Sequence, residues 1–261
     1  MGRGEKRVDR LGEEKLNNQG YLMRIIEYNN ATDILVEFEG DYAGKLKTWY
    51  ANFKNGTIKN LFAPSVFEVG IIGNECPVSI NGKITKEYNA WYSMLQRCFD
   101  LKYKNKYPTY TDANCCGEFL HYTKFYKWLH GQQNFSQWFT EEKWNLDKDI
   151  LVKGNKIYSP ETCCLVPNEV NKLFTKHDYA RGNLPIGVSK SGSKYVATCN
   201  NPFSKNRKYL GTYETVKSAF NAYKKYKEKI IKQIAQEEYD KSNITKQCYD
   251  AMMNYEVEIT D

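Results

Sequence analysis

Three features that would assign this chain to an exported, membrane or zinc-binding class are missing from its sequence. Residues 1–20 are charged throughout and contain no apolar core of the kind that a secretory signal needs. No apolar run reaches the roughly 18 residues that span a bilayer. The eight cysteines include no Cys-x-x-Cys pair, and the adjacent pairs at 115–116 and 163–164 have a poor spacing for zinc. We therefore expect a cytoplasmic protein with no membrane partner and with free, mostly buried thiols. A zinc site assembled from distant Cys and His residues is the alternative.

Positive charge is concentrated in one segment near the C-terminus. The whole chain carries a net charge of +7. Residues 171–240 hold 14 basic and 6 acidic side chains, which gives +8, whereas residues 1–75 hold 10 and 11, which gives −1. A basic cluster on one module is the electrostatic footprint expected for binding to a polyanion. A lysine-rich solvated helix would give the same charge, so charge alone leaves both interpretations open.

The spacing of the apolar residues predicts an α+β protein. Aromatic residues make up 15% of the chain and apolar residues 41%, which is enough for several small cores. Four regions are predicted: a small β-rich module with an N-terminal arm at 1–75, a helical and ββα region at 76–180, a three-stranded sheet with one helix at 181–240, and an acidic tail at 241–261.

Local patterns predict individual elements within these regions. Residues 1–17 are expected to be a flexible or partly helical arm. The strands of residues 18–70 are expected to form a barrel-like module with a hairpin turn at Asn55 and Gly56. Further predictions are helices at about 88–99 and 117–130, a loop at 102–112, and an edge strand at 255–261.

The segment 144–177 carries the first resemblance to a known family. It predicts the order strand, strand, helix, with the helix beginning at Pro167. Its pieces Leu146–Asp149, Tyr158–Cys163, Leu165–Pro167 and Asn171 resemble the HNH (ββα-metal) endonuclease motif in the form common in phage genomes. The resemblance implies that a His activates water and that a divalent metal stabilises the phosphate. It also implies that Asp147 and Asn171 bind Mg²⁺ or another divalent metal.

Two positions depart from this motif. Lys148 stands beside Asp147 where the general-base His is expected, and Thr162 stands where the motif has Asn. A protonated Lys is a poor base at neutral pH, although it is a good phosphate contact. The resemblance therefore marks Asp147, Lys148 and Asp149 as catalytic positions but leaves cleavage open. His177 is the nearest replacement base, and ordinary strand-end residues at 147 and 149 are the alternative.

The segment 186–235 carries the second resemblance. It predicts three strands followed by one long helix with Thr215 at its N-cap. Its motifs at 187–188, 194–197, 209–213 and 219–223 are similar to the Apetala/ethylene-response DNA-binding domain, which also occurs in phage nucleases and integrases. In that family the sheet lies in the major groove and the helix braces it from behind. The residues that would then face double-stranded DNA are Lys190, Lys194, Thr198, Asn200, Arg207 and Lys208.

The types of these residues suggest which part of the DNA each of them would contact. Arg207 and Asn200 have the bidentate geometry that suits base edges, and the lysines suit phosphates. A small α+β module that packs on another protein is the alternative for this segment.

Three functions are consistent with the sequence. The first is a DNA-binding phage protein with a degenerate HNH nuclease-like domain, acting in the cytoplasm of a bacterial host. The second is an active, metal-dependent homing-type endonuclease, and Lys148 is the residue that separates these two hypotheses. The third is a phage inhibitor that binds a host protein through the β-rich N-terminal module or the acidic tail.

Overall fold

The computed structural model describes residues 9–175 and 183–259, and its helices and several small sheets confirm the α+β class. The chain divides into two compact units. The first comprises Met1–Thr111 and Gly117–Tyr126, and the second comprises Asp112–Cys116 and Lys127–Asp261. The domain boundaries predicted from the sequence at 75, 180 and 240 stay predictions. No helix in the described ranges has the length and apolar character required to cross a membrane.

The first unit contains a four-stranded antiparallel sheet whose strands lie in chain order. Its strands are β1 (Glu14–Leu16), β2 (Leu22–Asn30), β3 (Asp33–Phe38) and β4 (Gly44–Thr48). Successive side chains of a strand point to opposite faces, so Ile34, Val36 and Phe38 of β3 share one face, where they are fully buried. Helix α1 (Tyr50–Asn55) contributes Phe53 to the same apolar cluster.

Three predictions for this sheet were wrong. The sheet is open, because β1 and β4 form its two edges, and it is not barrel-like. Residues 50–55 form a helix and not a hairpin, because Gly56, with a φ of 67°, is the left-handed C-cap of α1. Part of the predicted flexible arm is strand β1, whose Glu14 forms an ion pair of 2.6 Å with Arg24 of β2. Residues 1–8 of the arm lie outside the described residues.

A short hairpin and two helices follow the four-stranded sheet in the first unit. They are β5 (Ser79–Ile80), β6 (Lys83–Ile84), α2 (Lys86–Phe99) and α3 (Leu101–Lys106), followed by a 3-10 turn at Pro108–Tyr110. Helix α2 confirms the predicted helix and its buried face of Trp91, Met94, Leu95 and Cys98. The loop predicted at 102–112 was wrong, because the Asp100 side chain accepts hydrogen bonds from the backbone N–H groups of Lys102 and Tyr103 and so begins α3.

The ββα segment of the second unit has the predicted order. From residue 114 onward the elements are β7 (Asn114–Cys115), a 3-10 turn at Glu118–Leu120, α4 (Tyr122–His130), α5 (Phe135–Thr140), β8 (Trp144–Asp147), β9 (Ile157–Tyr158), β10 (Cys164–Pro167) and α6 (Asn168–Phe174). The 3-10 turn and the part of α4 up to Tyr126 belong to the first unit. Strand β8 pairs antiparallel with β10, and α6 follows directly, with Pro167 as its N-cap. The helix predicted at 117–130 is divided, because only its second part is α-helical.

The C-terminal part of the second unit is a three-stranded antiparallel sheet covered by a long helix. Its elements are β11 (Val188–Ser191), β12 (Lys194–Asn201), β13 (Asn206–Tyr213), α7 (Val216–Asp240) and α8 (Lys246–Met253). Thr215 is the N-cap of α7 as predicted, and its hydroxyl accepts the N–H of Ser218 at 3.1 Å. The predicted edge strand at the C-terminus was wrong for residues 255–259, which contain no strand, and residues 260–261 lie outside the described residues.

One apolar core joins the ββα segment to the C-terminal sheet. Val166 of β10 and Val170 of α6 belong to the same buried cluster as Ala197 of β12 and Ile231 of α7. Gly187 lets β11 begin close to α7: its φ is 77°, and a Cβ at this position would overlap the Tyr223 ring. The core therefore fixes which side of the sheet α7 covers.

Lys227 is a charged residue within this core. It is only 9% exposed, and no residue of the described ranges forms an ion pair with it. Burial lowers the pKa of Lys227 from its ordinary value, and the nearby Cys199 thiol opposes this shift only partly. Between the lowered pKa of the folded state and the ordinary value, the unfolded chain binds more protons, so stability rises with pH in that window.

We predict that Lys227→Met stabilises the protein at neutral pH, because it keeps the aliphatic stem and removes the buried charge. Each ~1 kcal/mol gained corresponds to about 2–4 °C in Tm for a domain of this size. The gain should shrink as the pH approaches 10, and thermal unfolding across a pH series measures it. Lys225→Met, at an exposed position of the same helix, is the control and should change little. An unchanged Tm for Lys227→Met at pH 7 would contradict the assignment of a buried, unpaired amine.

Candidate nucleic-acid interface

The central strand β12 divides the C-terminal sheet into two faces. Ala197 and Cys199 are buried in the core shared with α7. Because side chains alternate along a strand, Thr198 and Asn200 point to the opposite side. We call that side the open face.

Strand pairing assigns residues of β13 to the open face. Directly opposed residues of antiparallel strands point to the same side, and Asn200 is opposite Arg207 while Thr198 is opposite Tyr209. The open face of β12 and β13 consists of Lys194, Val196, Thr198, Asn200, Arg207, Tyr209 and Thr212.

Hydrogen bonds between side chains order this face. The Arg207 guanidinium donates to the Thr198 hydroxyl from Nε at 3.1 Å and from Nη2 at 2.9 Å. The hydroxyls of Tyr209 and Thr212 lie 2.8 Å apart. These contacts hold a planar cation and an exposed aromatic ring in defined positions above the sheet.

A β-bulge makes the second of these contacts possible. The register shifts between Ala197 and Thr198, so that Leu210 of β13 has no opposing residue. Gly211 adopts a φ of 132° beside it, and the Tyr213 hydroxyl donates to the Leu210 carbonyl at 2.9 Å. A bulge bends the strand and changes the direction of its side chains. Here it brings Tyr209 and Thr212, three residues apart, to the same face.

The open face carries positive charge that no nearby acidic residue in the sheet offsets. Residues 183–213 contain five basic and no acidic side chains, and two of the five, Lys194 and Arg207, lie on the open face. Lys194 does form an ion pair of 2.6 Å with Glu214, which follows β13. Both side chains are at least half exposed, so the pair is weak and the amine can exchange it for a phosphate.

The structure brings together four of the six residues predicted to face DNA. Lys194, Thr198, Asn200 and Arg207 share the open face. The other two residues lie elsewhere on the sheet, and DNA contact by all six stays a prediction. Lys190 is opposite Tyr195, and Lys208 is opposite the buried Cys199, so both point to the side that α7 covers.

Residue type alone does not separate these two lysines from the other four residues. A step of one residue along a strand reverses the face, and the sequence interpretation weighed residue type without counting from a buried residue. Counting alternate residues from the buried Ala197 and Cys199, and across to their partners on β13, would have placed Lys208 on the side that α7 covers. It would also have identified Tyr209, which is 59% exposed and which the sequence interpretation missed. Both lysines remain solvent-exposed on the edge strands β11 and β13.

The nuclease-like positions lie in a different environment. Asp147 ends β8, and its Oδ1 accepts hydrogen bonds from the backbone N–H groups of Asp149 at 2.7 Å and Ile150 at 2.8 Å. Burial raises the pKa of this carboxyl group, and the two backbone hydrogen bonds oppose that shift. Asp147 therefore closes the turn that follows β8.

Lys148 fastens the loop between β8 and β9. Its side chain is 8% exposed and donates to both carboxylate oxygens of Asp149 at 2.7 and 2.8 Å. The same amine donates to the Asn155 carbonyl at 3.3 Å, and the Asn155 amide returns a hydrogen bond to the Lys148 carbonyl at 2.7 Å. In this arrangement Lys148 is an internal ion-pair partner and is not presented to a phosphate.

These residues do not fit a divalent metal ion. One carboxylate oxygen of Asp147 already accepts two backbone hydrogen bonds, and the ammonium group of Lys148 follows it in the chain. Asn171 lies on α6, and within the described ranges no group of three or more His, Cys, Asp or Glu side chains could hold a metal. Metal binding by Asp147 and Asn171 stays a prediction, and we derive no catalytic step from it. The replacement base, His177, lies outside the described residues.

Comparison with known proteins finds a similarity to one plant DNA-regulatory protein. A stretch of 117 residues is 31% identical to ethylene-responsive transcription factor ERF117 of Arabidopsis thaliana. The match covers 40% of this chain and 35% of that factor, so the chain spans about a third of the relative's length. No family model matches the chain. No solved structure matches it. The comparisons thus agree with the resemblance to the ethylene-response family and give no support to the HNH resemblance.

We predict that Lys148→Met lowers the stability of the second unit and leaves the affinity for duplex DNA unchanged. The substitution removes three hydrogen bonds, but Asp149 is 48% exposed and can be hydrated, so we expect a loss of about 1–3 kcal/mol. Chemical denaturation and a duplex-binding titration measure the two effects. Lys156→Met, at an exposed position of the same loop, is the matched control and should leave stability unchanged. A variant of normal stability that binds DNA more weakly would restore Lys148 as a phosphate contact.

Proposed function

We propose that this chain binds double-stranded DNA through the open face of the β11–β13 sheet. The observation that carries the proposal is the pairing of Asn200 with Arg207 on an exposed, positively charged sheet face whose other side is buried under α7. A polyanion is the partner that this charge favours. The similarity to a protein named as a transcription factor supports the same conclusion.

The dimensions of the sheet suit the major groove. Three strands about 4.8 Å apart give a sheet about 10 Å across. The major groove of B-DNA is about 12 Å wide and admits strands as well as helices. The sheet can therefore enter with its open face toward the base edges, while α7 remains behind it.

The open face offers side chains for both kinds of DNA contact. Arg207 can donate two hydrogen bonds to guanine, and Asn200 can exchange two with adenine. The hydroxyl of Thr198 already orients the Arg207 guanidinium, which reduces the ordering needed on binding. Lys194 is suited to a phosphate, and Tyr209 can pack on a thymine methyl or a sugar.

We propose further that the β8–β10–α6 segment acts as a scaffold and does not cleave DNA. Lys148 replaces the expected base and is held internally by Asp149, and Asp147 closes a turn. The segment shares its core with the sheet through Val166 and Val170. A phage origin and action in a bacterial host belong to the same proposal and rest on the resemblance of this segment alone.

One experiment separates the three functions that the sequence left open. The protein is mixed with a randomised duplex pool in Mg²⁺, and both the retained and the broken molecules are sequenced. Enrichment of an intact motif is the expected result. Breaks at a fixed offset from a motif would show an active endonuclease. No retention even at low salt would overturn the DNA proposal and favour a host-protein partner.

We predict that Arg207→Ala relaxes sequence preference at one base pair and weakens binding to the preferred site by about 1–3 kcal/mol. Competition between the preferred site and single-base variants measures the effect. Lys208→Ala removes the neighbouring cation, which points to the other face, and should leave the preference intact. If the two variants alter the preference equally, the open face is not the reading surface.

We predict that Lys194→Ala weakens binding to all duplexes and lowers the slope of log affinity against log salt by about 1, because one phosphate contact is lost. Titrations at several salt concentrations measure the slope. Lys190→Ala is the control, since its side chain points to the side that α7 covers. An unchanged slope for Lys194→Ala would remove this residue from the interface.

A further inference from the structure

A row of tyrosines and cations lies in the first unit, around α3 and the 3-10 turn that follows it. Tyr103 contacts two other rings, with the Tyr107 ring centroid 4.7 Å away and the Tyr110 ring centroid 5.8 Å away. The Lys106 ammonium lies 5.2 Å from the Tyr107 ring centroid. The Arg97 guanidinium lies 5.7 Å from the Tyr110 ring centroid. We call these five residues the tyrosine row.

Tyr103 and Tyr110 are half-buried, but no ring of the row is buried completely. Neither α3 nor the 3-10 turn contains a buried residue, and Tyr107 is 40% exposed. A helix of six residues is marginal in water, so the ring contacts and the Asp100 cap are what hold it. The protein thus maintains an ordered aromatic surface in contact with solvent.

The surroundings of the row are positively charged. Residues 97–111 contain four basic side chains and one acidic side chain. The acidic residue is Asp100, whose carboxylate caps α3 through the N–H groups of Lys102 and Tyr103. These backbone hydrogen bonds hold the pKa of Asp100 below its ordinary value, so the carboxylate is engaged within its own turn.

We propose that the tyrosine row binds single-stranded nucleic acid, with an unpaired base stacked on Tyr107 and with Lys106 and Arg97 on flanking phosphates. Aromatic rings interleaved with cations are the combination that binds single strands without reading their sequence. In a duplex the base faces are already stacked on one another, so a partner with unpaired bases is required. The site is independent of the open face, and failure of duplex binding there would leave it unaffected.

The test uses the full chain and a labelled dT oligonucleotide of roughly 12 nucleotides, within the ~4–16 that such sites take. Unlabelled duplex is added in excess to occupy the open face, and fluorescence anisotropy gives the affinity. Tyr107→Ala should weaken binding roughly 5- to 150-fold, the range reported for losing one stacked base. Tyr107→Phe keeps the ring and should bind as the wild type does. A U oligonucleotide in parallel distinguishes an RNA source from a DNA source.

Two results would overturn the proposal. One is wild-type affinity for the oligonucleotide in Tyr107→Ala. The other is a Tyr107→Phe variant that binds the oligonucleotide as weakly as Tyr107→Ala does, because a stacked base requires only the ring. Because α3 is short and Tyr107→Ala could unfold it, the wild-type protein is also photocrosslinked to a bromodeoxyuridine oligonucleotide. Crosslinks mapped within residues 103–110 support the site, and crosslinks found only elsewhere reject it.

Discussion

The apolar core shared by α6, β10, β12 and α7 determines which surface of the C-terminal sheet is left for a partner. Ala197 and Cys199 must lie in that core, so Thr198 and Asn200 must lie outside it. Gly187 allows the close approach of β11 to Tyr223 that this packing requires. Once the buried face is fixed, strand pairing places Arg207 beside Asn200. The chemistry of the open face is thus a consequence of how its opposite side is buried.

The same core gives the ββα segment a structural role that its sequence did not reveal. The residues that resemble a nuclease motif in the sequence close a turn and hold a loop in the structure. Asp147 accepts two backbone N–H groups, and Lys148 is held by Asp149 and by the Asn155 carbonyl. The shape of this segment depends on Val166, Val170 and these local contacts, and none of them requires a catalytic base.

The sequence predicted correctly the elements that have strong local signals. Its predictions were wrong where the same local pattern is compatible with two different structures. Thr215 marked the start of α7 correctly, and the apolar spacing of α2 gave its buried face. Asn55 and Gly56 suit a hairpin turn and a helix C-cap equally, and only the packing of Phe53 decides between them. The sequence did not show that Lys208 points away from Arg207, because the face of a strand residue depends on register with its neighbour, which no local pattern contains.

The hydrogen bond between Arg207 and Thr198 has a consequence for how related proteins would diverge. Thr198 fixes the direction of a guanidinium, and its hydroxyl is occupied in doing so. Under the proposed function, replacing that hydroxyl by a methyl group would release the guanidinium and leave Lys194, Asn200 and Tyr209 unchanged. The DNA sequence preferred by related proteins would then change through a substitution at Thr198, which orients Arg207. A survey restricted to the residues in contact with DNA would overlook that cause.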